Sequence, residues 1–287
     1  MKISENYKIW FGVSILIMIL GLVMTLTSGI NLGIDFTGGT MMQFNIGKDF
    51  TVQEIREITS KFNLDADILH VGDEKQEVLI KTKKDLSNEE RMEIFSAFQE
   101  KYDLIDTDFR QTQQFGPSIG DEIRNKALIS ILIASIGMLL YITFRFEFRF
   151  GVAAITALIH DVLIVLSVYA IFKVPINSSF IAAILTIVGY SINDTIVVFD
   201  RLRENVKYMK KESYFQVADK SIKQTLTRSI NTSLTTLLVI GSLYVLGVES
   251  IKEFALPLLA GVLTGTYSSI FIASPVWALW RTVSAKN

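Results

Sequence analysis

Six apolar blocks dominate the chain, over residues 9–26, 127–144, 151–172, 178–199, 229–247 and 254–280. Each approaches the roughly 20 residues that an α-helix needs to cross the hydrocarbon core of a bilayer. In lipid an open segment must satisfy its own backbone, and a helix is the one open form that does so. The blocks therefore read as six spans. Apart from Asp161 and Asp194 the blocks carry no Asp, Glu, Lys or Arg, and the charges crowd into two segments, about 48–126 and 200–228. Composition alone decides little, because a 50% apolar fraction is ordinary; the distribution decides. The expected fold is a polytopic α-helical membrane protein with one sizeable water-exposed domain. Met1–Lys8 and the first block have no Ala-x-Ala site after them, so this block reads as an uncleaved span with Trp10 at an interface.

Between spans 1 and 2 the periodicity changes. Met41–Ile46 alternates like a strand, and Thr51–Phe62 carries apolar residues on one helical face. Thr51 and Glu54 form a capping box at the start of that helix. Asp67–Val71 and Glu77–Thr82 read as strands joined by a turn at Gly72-Asp73. Asn88–Tyr102 reads as a second helix capped by Ser87 and Glu90, and Ile105–Phe115 as a last strand. The order βαββαβ predicts an α+β ferredoxin-like domain. The expected division is 1–29 for the N-terminus and first span, 30–120 for this domain, and 121–287 for spans 2–6 with a loop at about 200–228. The glycines Gly33, Gly38 and Gly39 lack a following Gly-Lys-Ser/Thr, so they read as a tight turn into a strand and not as a phosphate loop. His70 reads as a strand residue.

The basic segments fix an orientation. Lys2 and Lys8, Arg145 and Arg149, the 200–228 stretch, and Arg281 and Lys286 all fall on one side of six spans. That side is the cytoplasm by the positive-inside rule, with both termini there and the βαββαβ domain outside. Trp10, Trp277 and Trp280 then lie near the inner interface.

Inside the spans stand residues that lipid disfavours. Asp161, beside His160, lies roughly 15 Å from the cytoplasmic edge and Asp194 roughly 9 Å, at 1.5 Å per helical residue. A carboxylate at that depth costs several kcal/mol, of order 3 on insertion scales, so it marks a bundle interior or wet cavity and a proton or ion site. Desolvation favours the neutral acid, which lets such a group load and release a proton. Competing readings are an interfacial carboxylate for Asp194 and a helix-packing acceptor for Asp161. Arg228, at the start of span 5, reads either as a snorkelling anchor or as a partner that pairs with Asp194 and releases it. Ser229, Asn231, Thr232, Ser233, Thr235 and Thr236 give span 5 a polar side, and Gly261 with Gly265 gives span 6 a close-packing face. No cysteine, only two histidines and a net charge of −1 leave no expectation of a metal, a cofactor or a nucleic-acid partner. No catalytic constellation stands out, and the chain is not expected to be an enzyme.

The stretches GIDFTGGT (33–40), GP-x-x-G (116–120), HD (160–161), GYSINDTIVVFDRLREN (189–205), RSINTSLTTLL (228–238) and GTYSSIFIASP (265–275) together resemble the SecF branch of the SecD/SecF protein-export family. The resemblance runs along nearly the whole chain. It implies a bacterial inner-membrane protein of the resistance-nodulation-division superfamily, with six spans and an extracytoplasmic ferredoxin-like domain between the first two. It also implies an obligate partner SecD, association with the SecYEG channel, and use of the proton gradient to move unfolded polypeptides outward. On the family pattern Asp194 and Arg228 carry proton transfer, with Asp161 in a less defined role. Two other functions fit parts of the pattern. Efflux of a small molecule or lipid would need a large apolar cleft in the outside domain; a purely structural role beside SecD would make Asp194 a packing residue.

Overall fold

The computed structural model describes residues 2–72, 76–209 and 211–284. Met1, Asp73 of the expected turn and Lys286 of the expected basic end lie outside the described residues.

Helix α1 (Tyr7–Ser28) is the first span. A single helical turn, α2 (Ile34–Thr37), leads into β1 (Gly39–Asn45), α3 (Val52–Lys61), β2 (Ala66–Val71), β3 (Glu77–Thr82), α4 (Asn88–Tyr102) and β4 (Phe109–Phe115). The sheet is antiparallel with strand order β2-β3-β1-β4, the split βαββαβ arrangement read from the sequence. Alternation along β1 turns Met42 and Phe44 inward, against Ile55 and Ile58 of α3 and Ile94, Phe95 and Phe98 of α4. Both expected capping boxes form: Thr51 Oγ1 accepts from Glu54 N–H and Ser87 Oγ from Glu90 N–H. In return the backbone N–H groups of Thr51 and Ser87 donate to Glu54 and Glu90, which holds both carboxyls below their ordinary range. Acid that protonates them therefore removes half of each cap. His70 stacks on Phe50 with ring centroids 4.2 Å apart and bonds its carbonyl, the structural role expected of it. The last strand is shorter than predicted, because Asp106–Asp108 form a 3-10 turn capped by Asp108 on the Ile105 N–H.

The remaining spans are α5 (Pro117–Arg145), α6 (Phe148–Phe172), α7 (Ser178–Tyr208), α8 (Tyr214–Leu246) and α9 (Glu249–Ser268), the last continued through a π turn (Ser269–Ala273) into α10 (Ser274–Ser284). Three sequence expectations change. The 200–228 stretch, read as a loop that is helical and amphipathic in places, is helical through most of its length: α7 runs on past its apolar block to Tyr208 and α8 begins at Tyr214. Span 6 carries the π turn, where Pro275 lacks an N–H and Ser274 Oγ reaches back to the Ser269 carbonyl. Trp277, expected near the inner interface, turns its ring into the bundle. It is fully buried, stacked on Phe150 and edge-on to Tyr214.

The glycine motifs have steric causes. Gly39 adopts φ 144°, and a Cβ there would stand 2.2 Å from the Thr82 carbonyl oxygen. Gly120 lets α5 close on α2, since a Cβ would stand 2.3 Å from the carbonyl oxygen of Phe36. Gly261 and Gly265 of α9 meet Ile187 and Ser191 of α7, so the expected close-packing face is used against that helix. Gly137, also on α5, has no atom within 4 Å of its notional Cβ. Gly120→Ala should therefore lower thermal stability by about 1–3 kcal/mol, the usual range for overpacking, while Gly137→Ala leaves it equal or higher. Equal unfolding temperatures of the two variants in detergent would refute this steric reading.

Candidate functional site

The polar centre of the bundle is built where α6, α7, α8, α9 and the π turn meet. His160 and Asp161 come from α6, Ser191, Asp194 and Thr195 from α7, Ser229 and Ser233 from α8, and Ser268 and Ser269 from the junction of α9 with the π turn. All nine are buried. Helical spacing puts Ser191, Asp194 and Thr195 on one side of α7. Gly265 admits α7 closely enough for Ser191 to reach across to α6.

Asp161 is fully enclosed and fully bonded. Ser191 Oγ donates to its Oδ2 at 2.6 Å and Ser268 Oγ at 2.9 Å, while His160 Nδ1 lies 3.1 Å from its Oδ1. Beside it, Thr195 and Ser269 share a hydrogen bond of 2.8 Å, and Ser269 also donates to the Gly265 carbonyl. Nearer α8, Ser233 bonds Thr266 at 2.5 Å and accepts from the Tyr190 hydroxyl.

Asp194 is the opposite case. It is 6% exposed, yet its Oδ2 has no hydrogen-bond partner, and neither has the Ser229 Oγ that faces it from α8. Two polar atoms left unbonded at the middle of a bundle are costly unless something visits them. Arg228 does not reach this carboxyl: no hydrogen bond or ion pair joins the two among the described residues. Its side chain is exposed and lines a cleft of about 430 Å³ with Asp200, Arg201, Lys207 and Gln224. Val197, one helical turn along α7 from Asp194, lines the same cleft. The charge of Arg228 still acts on Asp194 through space. Of the three sequence candidates, the structure thus brings Asp161 and Asp194 to one hydroxyl-lined seam and holds Arg228 just outside it.

Sequence reasoning undervalued His160 and missed Ser14, Ser191, Tyr267, Ser268 and Ser269. The available signal was the run of hydroxyls in GTYSS, which apolar packing alone does not require. Among the described residues no group of three or more His, Asp or Glu stands together in metal-binding geometry.

The contrast between the acids has a direct consequence for stability. Asp161→Leu removes the acceptor of Ser191, Ser268 and the His160 contact at once, and should destabilise by on the order of 1–3 kcal/mol. Asp194→Asn breaks no formed hydrogen bond and should unfold as the parent does. Thermal unfolding of the two variants in one detergent checks this; equal losses, or a larger loss for Asp194→Asn, would refute it.

Comparison with known proteins points the same way. Residues 94–283 match the family described as protein export membrane protein SecD/SecF, C-terminal, and residues 23–48 match the SecD/SecF GG motif. The chain is 40% identical over 279 residues to the protein translocase subunit SecF of Desulfurispirillum indicum, covering 94% of this chain and 88% of that one. It is 34% identical over 282 residues to the protein translocase subunit SecDF of Bacillus subtilis, covering 97% of this chain and 38% of the longer protein. A crystal structure of SecDF from Thermus thermophilus, titled a translocon-associated membrane protein, superposes with a TM-score of 0.83 at 36% identity. That match covers 97% of this chain and 38% of the other. With six apolar spans, the glycine-directed turn and these likenesses together, the chain belongs to the SecD/SecF family of protein-export membrane proteins, as a multi-pass SecF-type member with a role in protein translocation.

Proposed function

We propose that this chain is the SecF half of a SecD–SecF complex that draws on the proton gradient to help unfolded polypeptides through the SecYEG channel. The observation that carries the reading is the buried carboxyl of Asp194, whose Oδ2 has no hydrogen-bond partner, held one turn from a cleft that Arg228 lines together with Arg201 and Arg203. Proton arrival neutralises the acid; Arg228 swinging inward would replace the proton with a guanidinium. A proton moving through a potential of 100 mV releases about 2.3 kcal/mol, enough to bias two arrangements of one helix pair. The likeness to SecDF chains, of which this chain covers 38%, supports SecD as the obligate partner.

The location follows the same reading. Arg145, Arg149, the turn joining α7 to α8 and Arg281 lie at one end of the bundle, which we assign to the cytoplasm of a bacterial plasma membrane, with both termini there. The βαββαβ domain is then extracytoplasmic, where an emerging chain would meet it. It is tied to the helix that carries Asp194. Lys81 of β3 pairs with Glu253 of α9 at 3.0 Å, and Glu253 also accepts from the side-chain amide of Asn177 at 2.9 Å. Asn177 caps α7 through the Phe180 N–H. The Gly33 N–H and the Ile176 carbonyl bond at 2.7 Å, and Asp35 accepts from Ser178, so the glycine turn holds the same helix end.

Two measurements test this. Asp194→Asn should assemble with SecD yet lose gradient-stimulated export in reconstituted vesicles, under a pH gradient and a sodium gradient applied separately. Full stimulation under both would leave Asp194 a packing residue and SecF a stabiliser of SecD. Lys81→Glu should weaken coupled export while Lys81→Glu with Glu253→Lys restores it; no recovery in the double variant would remove this link from the mechanism.

A further inference from the structure

A second polar path leaves the bundle core toward α1. From Asp161 it runs through His160, whose Nε2 lies 2.9 Å from Ser14 Oγ of α1. Ser14 Oγ lies 3.3 Å from the hydroxyl of Tyr267 on α9, and that hydroxyl donates to the backbone carbonyl of Trp10 at 2.8 Å. The His160 and Tyr267 rings stack, with centroids 5.7 Å apart and 17° between planes. His160 and Ser14 are 6% and 4% exposed, so bulk water does not supply alternative partners.

The direction of every proton in this path follows from its far end. A backbone carbonyl only accepts, so the Tyr267 hydroxyl must spend its hydrogen on Trp10. Tyr267 can then only accept from Ser14, and Ser14 has one hydrogen to give. Ser14 Oγ must therefore accept from His160, which places a proton on Nε2. A neutral imidazole carries one N–H, so its Nδ1 is left as a lone pair facing Asp161 Oδ1. Two lone pairs 3.1 Å apart repel. The contact is sound only with one proton between them, as a carboxylic acid donating to Nδ1 or as an imidazolium donating to a carboxylate.

We propose that His160 and Asp161 form a proton-holding dyad, with Ser14 and Tyr267 as positioning residues that fix the imidazole with its Nε2–H toward α1. Loss of the shared proton leaves two facing acceptors and breaks the His160–Asp161 contact. The proton leaves from the Nδ1–Oδ1 line, and no other bond changes. Because Nε2 is tied to Ser14, ring rotation then releases α1 from α6 and α9. Among the described residues the titratable groups facing the ring are Asp161 on its own helix and Tyr267 on α9; α1 presents Ser14 between the apolar Val13 and Ile17, and Ser191 and Ser268 hold the other oxygen of Asp161. The dyad deepens the proton-coupling reading above and serves the same ion, but it stands on hydrogen-bond direction and not on Asp194.

The chain has only one other histidine, His70 in the sheet domain, so nitrogen NMR can follow His160 alone after assignment with His70→Gln. The full chain, labelled with 15N-histidine and reconstituted in lipid, should show His160 protonated at Nε2 at every pH and a pH-dependent change at Nδ1. Asp161→Asn should abolish the change at Nδ1, because the amide can donate to the lone pair permanently. Ser14→Ala should let the opposite tautomer, Nδ1–H, appear where the parent shows none. A parent spectrum with Nε2 unprotonated, or an Nδ1 titration unchanged in Asp161→Asn, would overturn the proposal. If Asp161→Asn does not fold, an unchanged tautomer in Ser14→Ala overturns it alone. None of these readouts depends on export, so failure of the dyad and failure of the Asp194 mechanism are distinguishable.

Discussion

Everything in this bundle is arranged around the cost of keeping carboxyl groups in a medium that does not solvate them. The chain meets that cost in two ways within a few ångströms of sequence-distant helices. Asp161 is met with donors from α6, α7 and the end of α9, and becomes part of the packing. Asp194 is given a polar neighbourhood, with Ser229 and Ser269 beside it, and its Oδ2 is left without a partner. A satisfied acid stiffens a core, whereas an unsatisfied one needs a proton, a water or a cation to visit it. On the proposed reading the second kind lets the core respond to what crosses the membrane, and the first does so only through the proton shared with His160.

The rest of the fold delivers those side chains to one depth. Small residues on α9 bring α7 within reach of α6, so that a serine can hydrogen-bond an aspartate across two helices. The π turn rotates Ser268 and Ser269 inward together, which a regular helix with its 100° step would not do as well. At the other end of α7 the cap is shared with the sheet domain through Glu253. A shift of α7 therefore reaches the water-exposed domain through a few polar contacts instead of a flexible linker.

Much of this was legible in the sequence, and the exceptions have identifiable physical reasons. Apolar blocks gave the six spans, and the Thr51/Glu54 and Ser87/Glu90 pairs gave both helix starts in the sheet domain. Helix ends near the charged turn were misplaced because hydropathy reports where lipid stops, not where a helix stops; α7 and α8 continue into water on residues with good helix propensity. Asp194 and Arg228 have matching depth, which sequence reveals, but adjacent residues on a helix point about 100° apart. It is Ser229 that faces Asp194, so Arg228 must face the cleft. Depth placed Trp277 near the inner interface, but depth alone does not say that its side of the helix is buried. The Ser14–His160–Tyr267 path was invisible because its members are separated by up to 253 positions, and only His160, beside Asp161, stood out alone.

The central claim is that Asp194 exchanges a proton while buried. Its most direct test is pH-difference infrared spectroscopy of the chain in lipid bilayers, read in the region of the protonated carboxyl stretch. A band whose intensity follows pH, and which is missing in Asp194→Asn but retained in Asp161→Asn, is the predicted result. A spectrum in which Asp194→Asn removes nothing would contradict the account.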